Sequence, residues 1–177
     1  MGPFASFDEI PQFTGEAKYA VTVPFDSIER QLEMFGEGCG MDLDPDFQRG
    51  HVWSELQQVR FVEFMLRGGR SGRVILFNQP GWTSGKIRRD EPMQLVDGKQ
   101  RLQAARRFLA NEIPAFGTLR RDFREPRVPR DVAFTFQVND LKTRAEVLQW
   151  YLDINDGGVV HSDEEIARVR ALLEEAL

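Results

Sequence analysis

The chain has 177 residues, 41% hydrophobic and 29% charged, the balance of a globular protein able to bury a core without disulfide staples. A net charge of -5 and a pI of about 5.2 exclude a general polyanion-coating protein, because such binding is driven by neutralising phosphates. The lone Cys39 excludes a disulfide framework and a cysteine zinc cluster. No apolar run nears the roughly 20 residues of a membrane span, and no basic-then-apolar leader opens the chain, so a cytoplasmic location is expected.

Residues 1–18 carry Pro, Gly and polar side chains and are expected to form a flexible arm, with one domain over 19–177. Tyr19-Ala20-Val21-Thr22-Val23 is β-rich and reads as a strand that Pro24 ends. Residues 25–35 place Ile28, Leu32 and Phe35 at helical spacing, with Gly36 as the stop. A Gly-rich loop over 36–44 leads to Phe47-Gln48-Arg49-Gly50-His51-Val52-Trp53, with a strand expected at 45–49. There Phe47, Val52 and Trp53 read as buried, and Gln48, Arg49 and His51 as polar heads among them. Ser54 and Gln57 form a capping box that opens an apolar helix carrying Leu56, Val59, Val62, Phe64, Met65 and Leu66. It ends at Gly68-Gly69. Val74-Ile75-Leu76-Phe77 is a continuous apolar run, read as a strand covered on both faces. Residues 78–91 read as a flexible loop of the length that carries function or disorder.

The most informative stretch follows. Met93-Gln94-Leu95-Val96 reads as a strand, Asp97-Gly98 as a turn, and residues 99–110 as a helix with Leu102, Ala105 and Leu109 on its apolar stripe. A helix start offers unsatisfied N–H groups and the positive end of the helix dipole, which together hold anions. Gly98 lets backbone approach a ligand closely. Lys99 and Arg101 add charge, and Asp97 is an oxygen ligand for Mg²⁺. The plainer alternative is a strand–turn–helix with surface cations. Beyond it, Ile113-Pro114-Ala115-Phe116 reads as a short edge segment. The loop 120–130 carries Arg120, Arg121, Arg124, Arg127 and Arg130, either simply solvated or contacting DNA. A strand is predicted at 134–138 and a helix at 144–154, stopped by Asn155-Asp156-Gly157-Gly158. Ser162 and Glu165 form a second capping box before a terminal helix. His51 and His161, the only histidines, read as surface or hydrogen-bonded residues or as a general base.

Three stretches now stand in one order: Gln48-Arg49 with Trp53, Asp97-Gly98-Lys99-Gln100-Arg101, and Asn155-Asp156-Gly157-Gly158 before a Glu-containing helix. This pattern resembles the N-terminal domain of the GmrSD type IV restriction systems, within the ParB/sulfiredoxin superfamily. The resemblance implies an α+β fold: a single ParB/sulfiredoxin-like domain with a small mixed β-sheet surrounded by helices. It implies a nucleoside triphosphate-binding protein of phage defence, possessing hydrolase activity where the second box is intact. Gln48, Arg49, Gly98, Lys99, Gln100, Arg101 and Asn155 would then bind nucleotide. Asp97, Gln100 and Arg101 would be catalytic, and Asp97 would hold Mg²⁺ carried with the nucleoside triphosphate. In this reading Arg49 and Asp97 lie side by side, as an ion pair or around a phosphate. The alternatives are a salt bridge for Arg49, a helix cap for Asn155 and a core role for Trp53.

Two departures qualify the resemblance. Lys99 stands where the family has Gln, which weakens the case for hydrolysis. The larger relatives continue into a helical region and often a nuclease domain, so any activity that needs one is either missing here or supplied by a protein partner. Two other classes compete: a ParB-like DNA nuclease or nickase, and a non-catalytic DNA- or protein-interaction module.

Overall fold

The computed structural model describes residues 6, 9, 10, 12–15, 17–48, 53–88, 90–156 and 163–177. They divide into two compact units, Ala17–Lys142 and a second joining Met1–Glu16 to Thr143–Leu177. The architecture is α+β, as the sequence predicts, with a mixed five-stranded sheet in the first unit. No helix among the described residues is long and apolar enough to cross a membrane.

Five strands build that sheet: β1 (Tyr19–Pro24), β2 (Met41–Asp42), β3 (Val74–Asn78), β4 (Met93–Asp97) and β5 (Ala133–Asn139), in the order β1-β5-β3-β4-β2. β5 runs antiparallel to β1 and parallel to β3, while β4 runs antiparallel to β3 and parallel to β2. Alternation sorts the side chains by face. Pairing Val21 with Phe136, Ile75 with Phe136 and Phe77 with Leu95 sets the apolar residues of four strands on one side. There they meet Ile28, Leu32 and Phe35 of α1 (Ile28–Gly36), Val62 and Met65 of α2 (Glu55–Leu66), and Leu102, Ala105 and Phe108 of α3 (Lys99–Leu109) in a single buried cluster. A short 3-10 turn, Phe25–Ser27, precedes α1.

Some expectations are corrected. Residues 45–48 form a turn, not a strand: the Gln48 N–H donates to the Pro45 carbonyl at 2.9 Å, and the Asp44 N–H to its neighbour Asp42 at 3.0 Å. Proline has no N–H for a ladder, and the aspartates turn the chain locally. The strand sits earlier, at Met41–Asp42, where only two residues pair. β3 is covered mainly on one face, since Val74 is exposed and Leu76 half-buried. On α2, Leu56 and Phe64 point outward. The loop after β3 is firmly held at its start. Asn78 exchanges two hydrogen bonds with Leu141, and Gln79, fully buried, bonds the carbonyls of Asn139 and Glu91.

Asp140 fastens the same loop. Its carboxylate, 7% exposed, accepts from the backbone N–H groups of Gly81 at 2.6 Å and Thr83 at 3.2 Å, and from the Thr83 hydroxyl and Lys142. Burial pushes its pKa up, but Lys142 and the Thr83 and Gly81 donors outweigh it and bring the pKa down to about 2.

The second unit contains α4 (Arg144–Asp156) and α5 (Asp163–Ala176). Thr143 caps α4 through a reciprocal pairing with Glu146. Thr14 donates its N–H and hydroxyl to Asp153 at 2.9 and 3.1 Å. The capping box expected at Ser162 lies outside the described residues.

Candidate functional site

The site is built where β4 becomes α3. Asp97 is the last residue of β4, Gly98 caps α3, and the helix begins at Lys99. Gly98 has φ +98°, a conformation only glycine adopts without strain. A Cβ there would lie 2.5 Å from Cδ1 of Ile75 and 3.3 Å from its Cα. The turn is therefore pressed directly onto β3, which brings the start of α3 to the end of the sheet.

Arg101 lies one turn into α3 and reaches back to Asp97, its Nη2 2.6 Å from Oδ2. Both are partly covered, Arg101 19% and Asp97 34% exposed. One side of the arginine packs along the tight turn before β3, where a Cβ on Gly72 would meet the Arg101 Cδ at 3.4 Å. Asp97 thus orients the guanidinium with one of its five N–H donors and leaves the others available. Oδ1 of Asp97 carries no hydrogen bond among the described residues.

The first box meets the second. Gln48, buried, donates its amide to the Leu95 carbonyl of β4. The Trp53 N–H donates to Gln100 Oε1 at 3.1 Å. The Trp53 ring, half-buried, lies 5.5 Å from Phe61 and packs on the core, as expected of it. Lys99 pairs with Asp44 in the turn just before the box. Arg49 and His51 lie outside the described residues, as do Gly157, Gly158 and His161. Asp97, expected beside Arg49, pairs with Arg101, a partner the four-residue spacing could have revealed. Asn155 lies in the second unit, near the end of α4, and donates its amide to the Tyr151 carbonyl at 2.6 Å.

Beyond Lys99 a cleft of about 450 Å³ runs along α3, with walls of Leu43, Leu95 and Leu102 and polar groups from Asp44, Lys99 and Gln103. Its far end is closed by ion pairs. Arg106 makes a two-point contact with Glu29, at 2.6 and 3.0 Å, and Arg107 bridges Glu55 and Glu112. Burial opposes the Arg107 charge, but Glu112 and Glu55 outweigh it and raise its pKa. Asp44 is the residue sequence reasoning missed here; its only signal was an acidic turn before the first box.

For a cation the donor set is small. No group of three or more His, Cys, Asp or Glu side chains that could hold a metal occurs among the described residues. The single free oxygen of Asp97 suits an ion that brings most of its ligands with it, as Mg²⁺ does on phosphates.

Comparison with known proteins supports the family resemblance. The model of the GmrSD restriction endonuclease, N-terminal domain, matches residues 28–135, a stretch that holds the first two boxes and stops short of the third. No curated protein matches the chain, and no solved structure does. With more than half of its length in that match, the chain belongs to the family of GmrSD restriction endonuclease N-terminal domains.

Proposed function

We propose that this chain binds a nucleoside triphosphate with Mg²⁺, its phosphates against the start of α3 and its nucleoside in the neighbouring cleft, as part of a restriction pathway against phage. The observation carrying this reading is the convergence of Gly98, Lys99, Arg101 and Asp97 on one helix start, beside a cleft of nucleoside size. The N–H groups of the first helical turn face away from the helix body, and the dipole favours negative charge there. Arg101, already oriented by Asp97, presents its remaining donors to a phosphate. Asp97 Oδ1 is the position for Mg²⁺ carried by the nucleotide, whose chemistry would be to neutralise phosphate charge. Gln48 and Gln100 act from behind: each ties the first box to β4 or α3 and so sets the turn.

Titration calorimetry with ATP, GTP, CTP and UTP, each with Mg²⁺, tests this directly. Binding of at least one is expected. Arg101→Ala should weaken it about tenfold or more, since a hydrogen bond to a charged group contributes roughly 1.5–3 kcal/mol. Absence of binding by all four would overturn the proposal. Phosphate release from the bound nucleotide, compared between the native chain and Lys99→Gln, measures whether the lysine suppresses hydrolysis.

A further inference from the structure

After α3 the chain makes a two-residue reversal that the site at Asp97 does not use. Ala115 and Thr118 exchange both backbone hydrogen bonds, at 2.9 and 3.0 Å, and between them Phe116 and Gly117 have φ of +50° and +74°. A turn of this hand favours Asn, Asp or Gly at its first central position, because they tolerate the left-handed region. Among the described residues the other non-glycine with positive φ is Asn111. It follows α3, where a left-handed asparagine is an ordinary helix stop. Phe116 has no such reason. The residue is 53% exposed, and the Glu63 carboxylate of α2 accepts its N–H at 2.7 Å. The fold thus holds an aromatic ring in water on a strained backbone, and both are unfavourable in the free protein. Strain of this kind is found where a site needs it.

The ring stands at a groove of about 360 Å³ walled by Leu66, Phe108, Phe123, Val128 and two prolines, Pro126 and Pro129. The segment 120–130 beside it carries five arginines against two carboxylates, in a chain whose net charge is -5. Arg120 turns inward to Asp26 at 2.8 Å. Arg124, Arg127 and Arg130 are exposed and make no ion pair among the described residues.

We propose that this groove docks an acidic segment of a partner protein that carries a bulky apolar side chain. The apolar side chain enters beside Phe116, and its flanking carboxylates meet Arg124, Arg127 and Arg130. Exposed aromatic and arginine anchors around an apolar pocket are the composition of interface hot spots. A nucleic acid fits less well. The groove offers carbon where base edges need hydrogen-bonding groups.

The test pans a phage-displayed library of random peptides, roughly a dozen residues each, on the full chain. Anisotropy then measures the enriched peptides against three proteins: native, Phe116→Asn, and the double variant Arg124→Glu with Arg127→Glu. Asparagine suits the left-handed position, so the melting temperature of Phe116→Asn should hold or rise, which separates folding from binding. Enriched peptides should combine Asp or Glu with Phe, Trp or Leu. Phe116→Asn should weaken them about thirtyfold or more, and the charge reversal about tenfold. No enrichment, peptides of other composition, or equal binding to Phe116→Asn would overturn the proposal. So would a thymidine oligonucleotide that binds with the same Phe116 dependence, which would mark a stacking surface for single strands. A lower melting temperature for Phe116→Asn would also overturn it, by giving the ring a structural role.

Discussion

Gly98→Ala is the sharpest test of how the site is held. Two penalties add. Alanine at φ +98° is strained by about 1–3 kcal/mol. Its Cβ, 2.5 Å from Ile75 Cδ1, must push that side chain or β3 aside, typically about 1–3 kcal/mol more. The sum, roughly 2–6 kcal/mol, is a large share of a total stability of about 5–15 kcal/mol. Ile75→Val removes the clashing Cδ1 and alone costs about 0.5–1.5 kcal/mol, since Ile75 is fully buried. In the double variant the methyl clash is gone, and only the backbone strain and the 3.3 Å contacts remain. Its cost should therefore fall about 1 kcal/mol or more below the sum of the singles. Urea unfolding of all four proteins, followed by circular dichroism, completes the cycle. Additivity within about 0.5 kcal/mol, or a nearly neutral Gly98→Ala, would show that the turn is not pressed on β3 as described.

Asp140→Asn should cost roughly 2 kcal/mol at neutral pH, the equivalent of lowering a carboxylate pKa from 3.8 to about 2. Because the folded pKa is the lower one, this stability is present above about pH 4 and fades as pH falls toward 2; the two proteins should converge over that window, and a gap that persists at pH 2 would contradict it. Ser54→Ala removes the acceptor of the Gln57 N–H at the start of α2 and should cost about 1 kcal/mol in the same unfolding assay. Asp97→Asn should cost little stability, because its pair with Arg101 is about one-third exposed on the carboxylate side, yet it should weaken Mg²⁺-dependent nucleotide binding in calorimetry; a large loss of stability would make the residue structural.

What the sequence made legible was local. The apolar run, Asp97-Gly98 and the stripe of α3 lie within seventeen residues and determine one another, so strand, turn and helix fall where the pattern puts them. The Ser54 box is just as local, its donor and acceptor three residues apart. β2 was hidden because two residues carry no periodicity, and Pro45 with its aspartates turned an apparent strand aside. Pairings across long separations were also hidden. Nothing near Lys99 names Asp44, and nothing in the loop after β3 names Asp140. The first two family boxes reached further than periodicity could: they pair across almost fifty residues, through Gln48 with Leu95 and Trp53 with Gln100.

The order β1-β5-β3-β4-β2 has a consequence for how the chain reaches this state. Tyr19 pairs with Val138, so β1 has no partner until β5 exists. At about 5–20 residues per second, the ribosome leaves β1 waiting for several seconds or more, and sheets with such distant pairings close slowly. β5 also joins β3, so the same late strand completes both sides of the sheet's middle. The matched stretch 28–135 omits β1 and ends inside β5. A fragment cut to those limits would expose the long edge of β3 and should aggregate rather than fold, whereas Ala17–Lys142 keeps every strand pair.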